Sequence, residues 1–149
     1  MARTVPGNRN LRSLVRCPAG TSAVEFAIVS PLLIMLLFGM VAYGIYLGAS
    51  HSIQQIAADA ARTAVAGLNA GERVSLAENY IDRNAGTYPF VDPSKLTLDI
   101  RDNPADADEF IVAVRYDARD LPIWNLLPDL PMPGMTIRHS STIRVGGGE

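Results

Sequence analysis

Three groups of side chains in this sequence stand where they could do chemistry: one carboxylate, two histidines and an acidic cluster. The carboxylate is Glu25, five residues after Gly20 and immediately ahead of 26–50, a stretch of 25 residues without a charged side chain. A carboxylate is costly at mid-bilayer, so at the head of an apolar helix it belongs near the interface, where the positive end of the helix dipole favours it. There it calls for a cation, or it serves simply as an interfacial cap. The histidines, His51 at the end of the apolar run and His139 in a strand-like segment, lack metal-ligand spacing and a nucleophile motif, so both read as structural. The acidic cluster, Asp102, Asp106, Asp108 and Glu109, offers the oxygens a calcium ion wants but not the spacing of an EF-hand loop. A solvated turn is equally acidic. Catalytic residues, cofactor and metal are all expected to be absent, and no phosphate loop, dinucleotide fingerprint or nucleophile elbow is present.

The element that must position Glu25 is the apolar run itself. As a helix it extends roughly 37 Å at about 1.5 Å per residue, enough to cross a hydrocarbon core of about 30 Å with some tilt. A core helix of a soluble protein seldom stays apolar on every face for that length. Arg3, Arg9, Arg12 and Arg16 all precede the run, and the first acidic residue of the chain is Glu25. That asymmetry sets the N-terminus in the cytoplasm and the remainder outside. Beyond Gly20 the chain carries 9 basic and 15 acidic side chains, a balance of −6 that argues against nucleic-acid binding. A cleaved secretory signal is disfavoured, since its apolar region is about 7–15 residues. Cys17, the single cysteine, has no apolar region before it and reads as an incidental cytoplasmic thiol, which leaves the exported part without disulfides.

The order arginine, small residues ending in Gly20, four residues, Glu25 and then an apolar helix resembles the processing site of type IV pilin-like proteins. More narrowly, GTSAVEFAIVSPLLIMLLFGMVAYG is similar to the start of the TadE-like pseudopilins of the tight-adherence (Flp) pilus machinery, which also place a proline soon after the glutamate, as Pro31 does here. The strong resemblance covers about 50 residues near the N-terminus. It implies cleavage of the Gly20–Thr21 bond by prepilin peptidase, leaving Glu25 as the fifth residue of the mature chain. It further implies that the new α-amino group on Thr21 and the glutamate of a neighbouring subunit neutralise each other as helices pack. Independently of the family, Gly20 lets an extended leader pass close to a protease. Gly44 and Gly48 form a small-xxx-small pair, and Gly39 is a third place where helices can approach closely. Pro31 removes one helix hydrogen bond and can kink the segment.

Beyond the membrane run the helical spacing continues, with Ile53, Ile56, Ala57, Ala60 and Ala64 on one face and Gln54, Gln55, Asp59 and Arg62 elsewhere, an amphipathic stalk. Gly67 and 69–71 interrupt it, and a second short helix is expected over 72–83, closed by Gly86 and Pro89. Period-two alternation at 96–101, strand-like FIVAVRY at 110–116 and a third strand at 135–145 predict a small antiparallel sheet of about three strands, with NPADADE as a hairpin loop. The segment LPIWNLLPDLPMPG either packs over the domain's own core or presents Trp124 as a candidate partner contact. The expected class is therefore α+β: a cytoplasmic basic leader over 1–20, a transmembrane helix over 21–50, an extracytoplasmic domain over 51–145 and a disordered tail over 146–149.

These features together point to a non-enzymatic minor pseudopilin of the bacterial inner membrane, with a periplasmic domain and a part in Flp pilus assembly and cell adhesion. The expected partners are prepilin peptidase, other pilin-like subunits and pilus assembly proteins, membrane lipid, and further copies or other helices met through the apolar segment. An uncleaved, membrane-tethered periplasmic binding or sensing module is the competing class, and a released enzyme the distant third. The major pilin is disfavoured, since Flp pilins are much shorter and lack such a domain.

Overall fold

The computed structural model describes residues 18–124, 131 and 133–144. The basic leader before Pro18, Cys17, the middle of the proline-rich segment and the glycine-rich end lie outside the described residues. Helix α1 spans Pro18–Ala64 and α2 spans Ala70–Asn84, and 3-10 turns at Ala85–Thr87 and Pro93–Lys95 lead into β1 (Leu96–Asn103), β2 (Asp106–Asp117) and β3 (Thr136–Arg144). The chain divides into two compact units, 1–39 and 40–149.

In the first unit the side chains from Ser22 to Phe38 are exposed all around the helix, apart from half-buried Ser30. Phe26, Ile28 and Leu32 are 69%, 72% and 68% exposed, in a helix long and apolar enough to cross a membrane. Pro31 lies inside the helix.

The second unit has the expected α+β architecture. β1, β2 and β3 form an antiparallel sheet in sequence order. Phe110, Val112, Val114 and Tyr116 alternate onto the inner face of the central strand, where they join Ile137 of β3, Ala77 and Ile81 of α2, and the α1 stripe of Ala49, Ile53, Ile56, Ala57, Ala60, Ala61 and Ala64 in one core. The stripe was visible as helical spacing, and its alanines let the helix backbone lie close to its neighbours. α2 begins two residues earlier than expected because Asn69 caps it, its side chain accepting from the Glu72 N–H at 2.9 Å while the Glu72 carboxylate accepts from Leu68 N–H at 2.8 Å. Gly67 is needed just upstream: a Cβ there would lie 2.7 Å from the Arg73 backbone nitrogen.

The β1–β2 connection is tighter than the sequence suggested. Only Pro104 and Ala105 form the turn, where Asn103 accepts from the Ala105 N–H at 3.0 Å, and β2 already starts at Asp106. Asp106, Asp108 and Glu109 are therefore strand residues, not a loop.

Candidate functional site

The N-terminal motif lies on the first helical turns. α1 includes Pro18–Ala64, so the backbone of Gly20 is already helical. Thr21 and Glu25 fall four residues apart along the backbone of that helix, about one turn from each other. Glu25 is exposed, and the apolar surface that follows it is exposed on every side up to Phe38. An unbroken apolar cylinder of this kind can be covered by lipid or by other apolar helices. Gly39 is the last residue of this unit and is buried.

In the second unit the helix has another kind of neighbour. Gly44 is open, with nothing within 4 Å of where a Cβ would stand, whereas the corresponding position on Gly48 lies 2.9 Å from the Phe90 ring. The two glycines thus do different work: Gly48 receives a side chain of its own domain. Phe90 is held at φ 61°, a left-handed backbone that a bulky residue adopts only when its surroundings fix it. The fixing contact is nearby, where Ser52, the buried polar residue of the helix, donates to the Pro89 carbonyl at 2.8 Å.

Two tyrosines that sequence reasoning passed over bind the proline-rich segment. Tyr43 donates to the Pro131 carbonyl, and Tyr46 donates to the Gly134 carbonyl at 3.2 Å. Their spacing of three residues on a helix was the available signal. Trp124 is half-buried, packs against the core and donates its ring N–H to the Ala118 carbonyl at 2.6 Å, so its bonding is within its own domain.

The polar residues are largely structural ties. His139 faces inward and pairs with Ser50 at 2.8 Å, linking β3 to α1. His51 is exposed beside Gln54, Gln55 and Asp59. Tyr88 donates to Asp59 at 3.0 Å and shares a 2.8 Å hydrogen bond with Tyr80; burial first, then these two partners, push its phenol well above the ordinary range. Arg73, nearly buried, bonds Asp102 at 3.0 Å and lies 5.7 Å from the centroid of the Phe110 ring, with its Nε unpaired. Of the remaining acidic cluster, Asp106 faces Arg144 at 3.6 Å and Glu109 accepts from Asn103 at 2.7 Å. Among the described residues no group of three His, Cys, Asp or Glu side chains is placed to hold a metal.

Comparison with curated proteins and with solved structures finds no match. A family model, TadE-like protein, matches residues 20–62, from Gly20 through the apolar run to Arg62 near the end of α1. The matched stretch carries the glycine, the glutamate, the proline and the exposed apolar helix in order, and over residues 20–62 the chain is similar to TadE-like proteins.

Proposed function

We propose that this protein is a minor pseudopilin, a non-enzymatic subunit that builds or anchors a Flp-type pilus in the bacterial inner membrane and is cut by prepilin peptidase between Gly20 and Thr21. The observation that carries the reading is the register of Gly20 and Glu25 at the head of a helix that is apolar and exposed around its whole circumference. In this scheme the leader, 1–20, lies in the cytoplasm, 21–50 holds the membrane segment, and the domain stands in the periplasm. Residues 22–41 alone give about 30 Å of helix, a bilayer core's thickness. Tyr43 and Tyr46 then fall at the outer interface, where amphipathic aromatic rings are favoured. Because Gly20 lies in the first turn, the peptidase would open that turn before cutting; terminal turns have orphan N–H groups and open at little cost.

After cleavage, the α-amino group of Thr21 would lie about one turn from Glu25 of its own chain and in reach of the same carboxylate on a neighbour. Pairing removes an isolated charge from the edge of the apolar phase, so helix packing and charge neutralisation favour each other. The test is the N-terminal sequence and intact mass of the membrane-extracted chain, with and without co-expressed prepilin peptidase. A chain starting at Thr21 only with the peptidase is expected. An intact leader in both samples would overturn the proposal in favour of a permanent membrane tether.

A further inference from the structure

The outer face of the sheet carries a charge pattern that the fold does not use. Arg115 of β2 stands directly opposite Arg138 of β3, and both are exposed. Like charges in that relation destabilise a sheet. The other outer-face arginines are answered within the domain, Arg101 by Asp99 at 2.7 Å and Arg144 by Asp106 at 3.6 Å. Among the described residues no carboxylate pairs with Arg115 or Arg138. Beside them the side chains are small, and a pocket of about 100 Å³ opens over Ala113 between Thr97, Asp99, Arg115 and Arg138.

The complementary pattern lies elsewhere on the same domain. Glu78 and Asp82 are exposed one turn apart on α2, and neither has an ion-pair partner among the described residues. Their Cβ atoms are spaced by about 5–6 Å, close to the roughly 4.5–5.5 Å between directly opposed cross-strand residues. Arg83 projects about 100° around the helix from Asp82 and leaves the acidic pair open. α2 packs on the inner face of the sheet, with Arg73 over Phe110, so one copy cannot bring its own acidic pair to its own arginines.

We infer that the arginine pair is a docking site for a second copy of this chain, with Glu78 and Asp82 of that copy bonded to Arg115 and Arg138. The contact is head-to-tail. Two different patches meet, which leaves each copy a free patch of the opposite kind and allows the array to grow. An isologous contact is opposed by charge, because sheet face against sheet face sets arginines on arginines. The contact is small and is strengthened by confinement of the copies to one membrane.

The test uses the full-length, uncleaved chain in liposomes in a Cys17→Ser background, so its outcome is independent of cleavage at Gly20. One population carries Asn79→Cys, beside the acidic pair; the other carries Ser140→Cys, on the outer face of β3 next to Arg138. Oxidation is expected to give a cross-linked dimer when the two populations share a vesicle, and neither population alone. Reversing Arg115 and Arg138 to Glu in both populations, or Glu78 and Asp82 to Lys in both, is expected to cut the yield about tenfold by setting like charges together. Combining Arg115→Glu/Arg138→Glu with Ser140→Cys on one chain, and Glu78→Lys/Asp82→Lys with Asn79→Cys on the other, restores the attraction and the cross-link. Equal cross-linking within single populations, a yield indifferent to charge reversal, or no cross-link at all would each overturn the inference.

Discussion

The two ends of α1 are made of the same kind of residue and meet opposite surroundings. From Ser22 to Phe38 the apolar side chains cover the whole circumference and are exposed; from Ala49 to Ala64 they form a stripe, with Ile53 and Ile56 fully buried. The distinction lies in where the polar residues fall. Gln54, Gln55 and Arg62 leave one face of the second stretch wet, so its apolar face can be buried by a single domain. The first stretch has no wet face, and no small domain can cover a cylinder on all sides. One helix thus carries two solvents' worth of instruction, and its composition alone would not separate them.

The sharpest way to break that comparison is to place the same charge in both stretches. Ile56→Asp puts an unpaired carboxylate in a closed core, a change expected to cost more than about 4 kcal/mol and to unfold the outer domain. Leu36→Asp should leave the thermal midpoint of that domain unchanged and instead lower membrane insertion, by about 2.5–3.5 kcal/mol on the translocon scale. Thermal melts of the detergent-solubilised chain and carbonate extraction of membranes read the two effects separately. Equal losses of domain stability from both variants would show that the ends share one environment.

Much of this was written in the sequence, and the exceptions have physical causes. The stalk stripe, the strand alternation and the exposed apolar run are periodic or continuous signals, which survive without knowledge of partners. β2 began earlier than expected because acidic residues mark exposure, and an exposed strand end is as acidic as a turn; Asp106 and Asp108 gave no way to tell them apart. Gly48 resembled half of a helix-packing motif because a glycine signals only close approach. The approaching group is Phe90, 42 residues later, brought there by the tie between Ser52 and Pro89. The spacing of Tyr43 and Tyr46 put them on one side of the helix but did not name their acceptors, which are backbone carbonyls that any residue supplies.

A smaller effect is expected at the end of the stalk. Gly67→Ala would bring a methyl group against backbone atoms of Arg73, which cannot swing aside as a side chain can. A cost of about 1–3 kcal/mol follows from such overpacking, read as a lower denaturation midpoint of the outer domain. Gly44→Ala, where space is open, should cost nothing there. Tyr46→Phe comes next, losing one hydrogen bond worth about 0.5–1.5 kcal/mol. Its signature is faster amide exchange around 134–137 while the rest of β3 keeps its protection.

The smallest effect concerns pH and tests whether the stalk is held by more than its apolar stripe. Tyr88 links Asp59 of α1 to Tyr80 of α2, and burial together with these bonds raises its pKa above the ordinary 10.0. A raised pKa means that the unfolded chain gives up the proton first as pH rises. The contribution of Tyr88 is therefore complete below about pH 10 and is lost above it. Thermal midpoints of the outer domain should fall between about pH 10 and 12, and Tyr88→Phe, which has no proton to lose, should flatten that fall. If the variant kept the full slope, the alkaline loss would belong to other groups, such as buried Tyr116, whose phenol burial also pushes up. The stalk would then rest on its alanine and isoleucine stripe alone, and the polar tie through Asp59 would serve only to fix the angle at which the loop after α2 meets the helix.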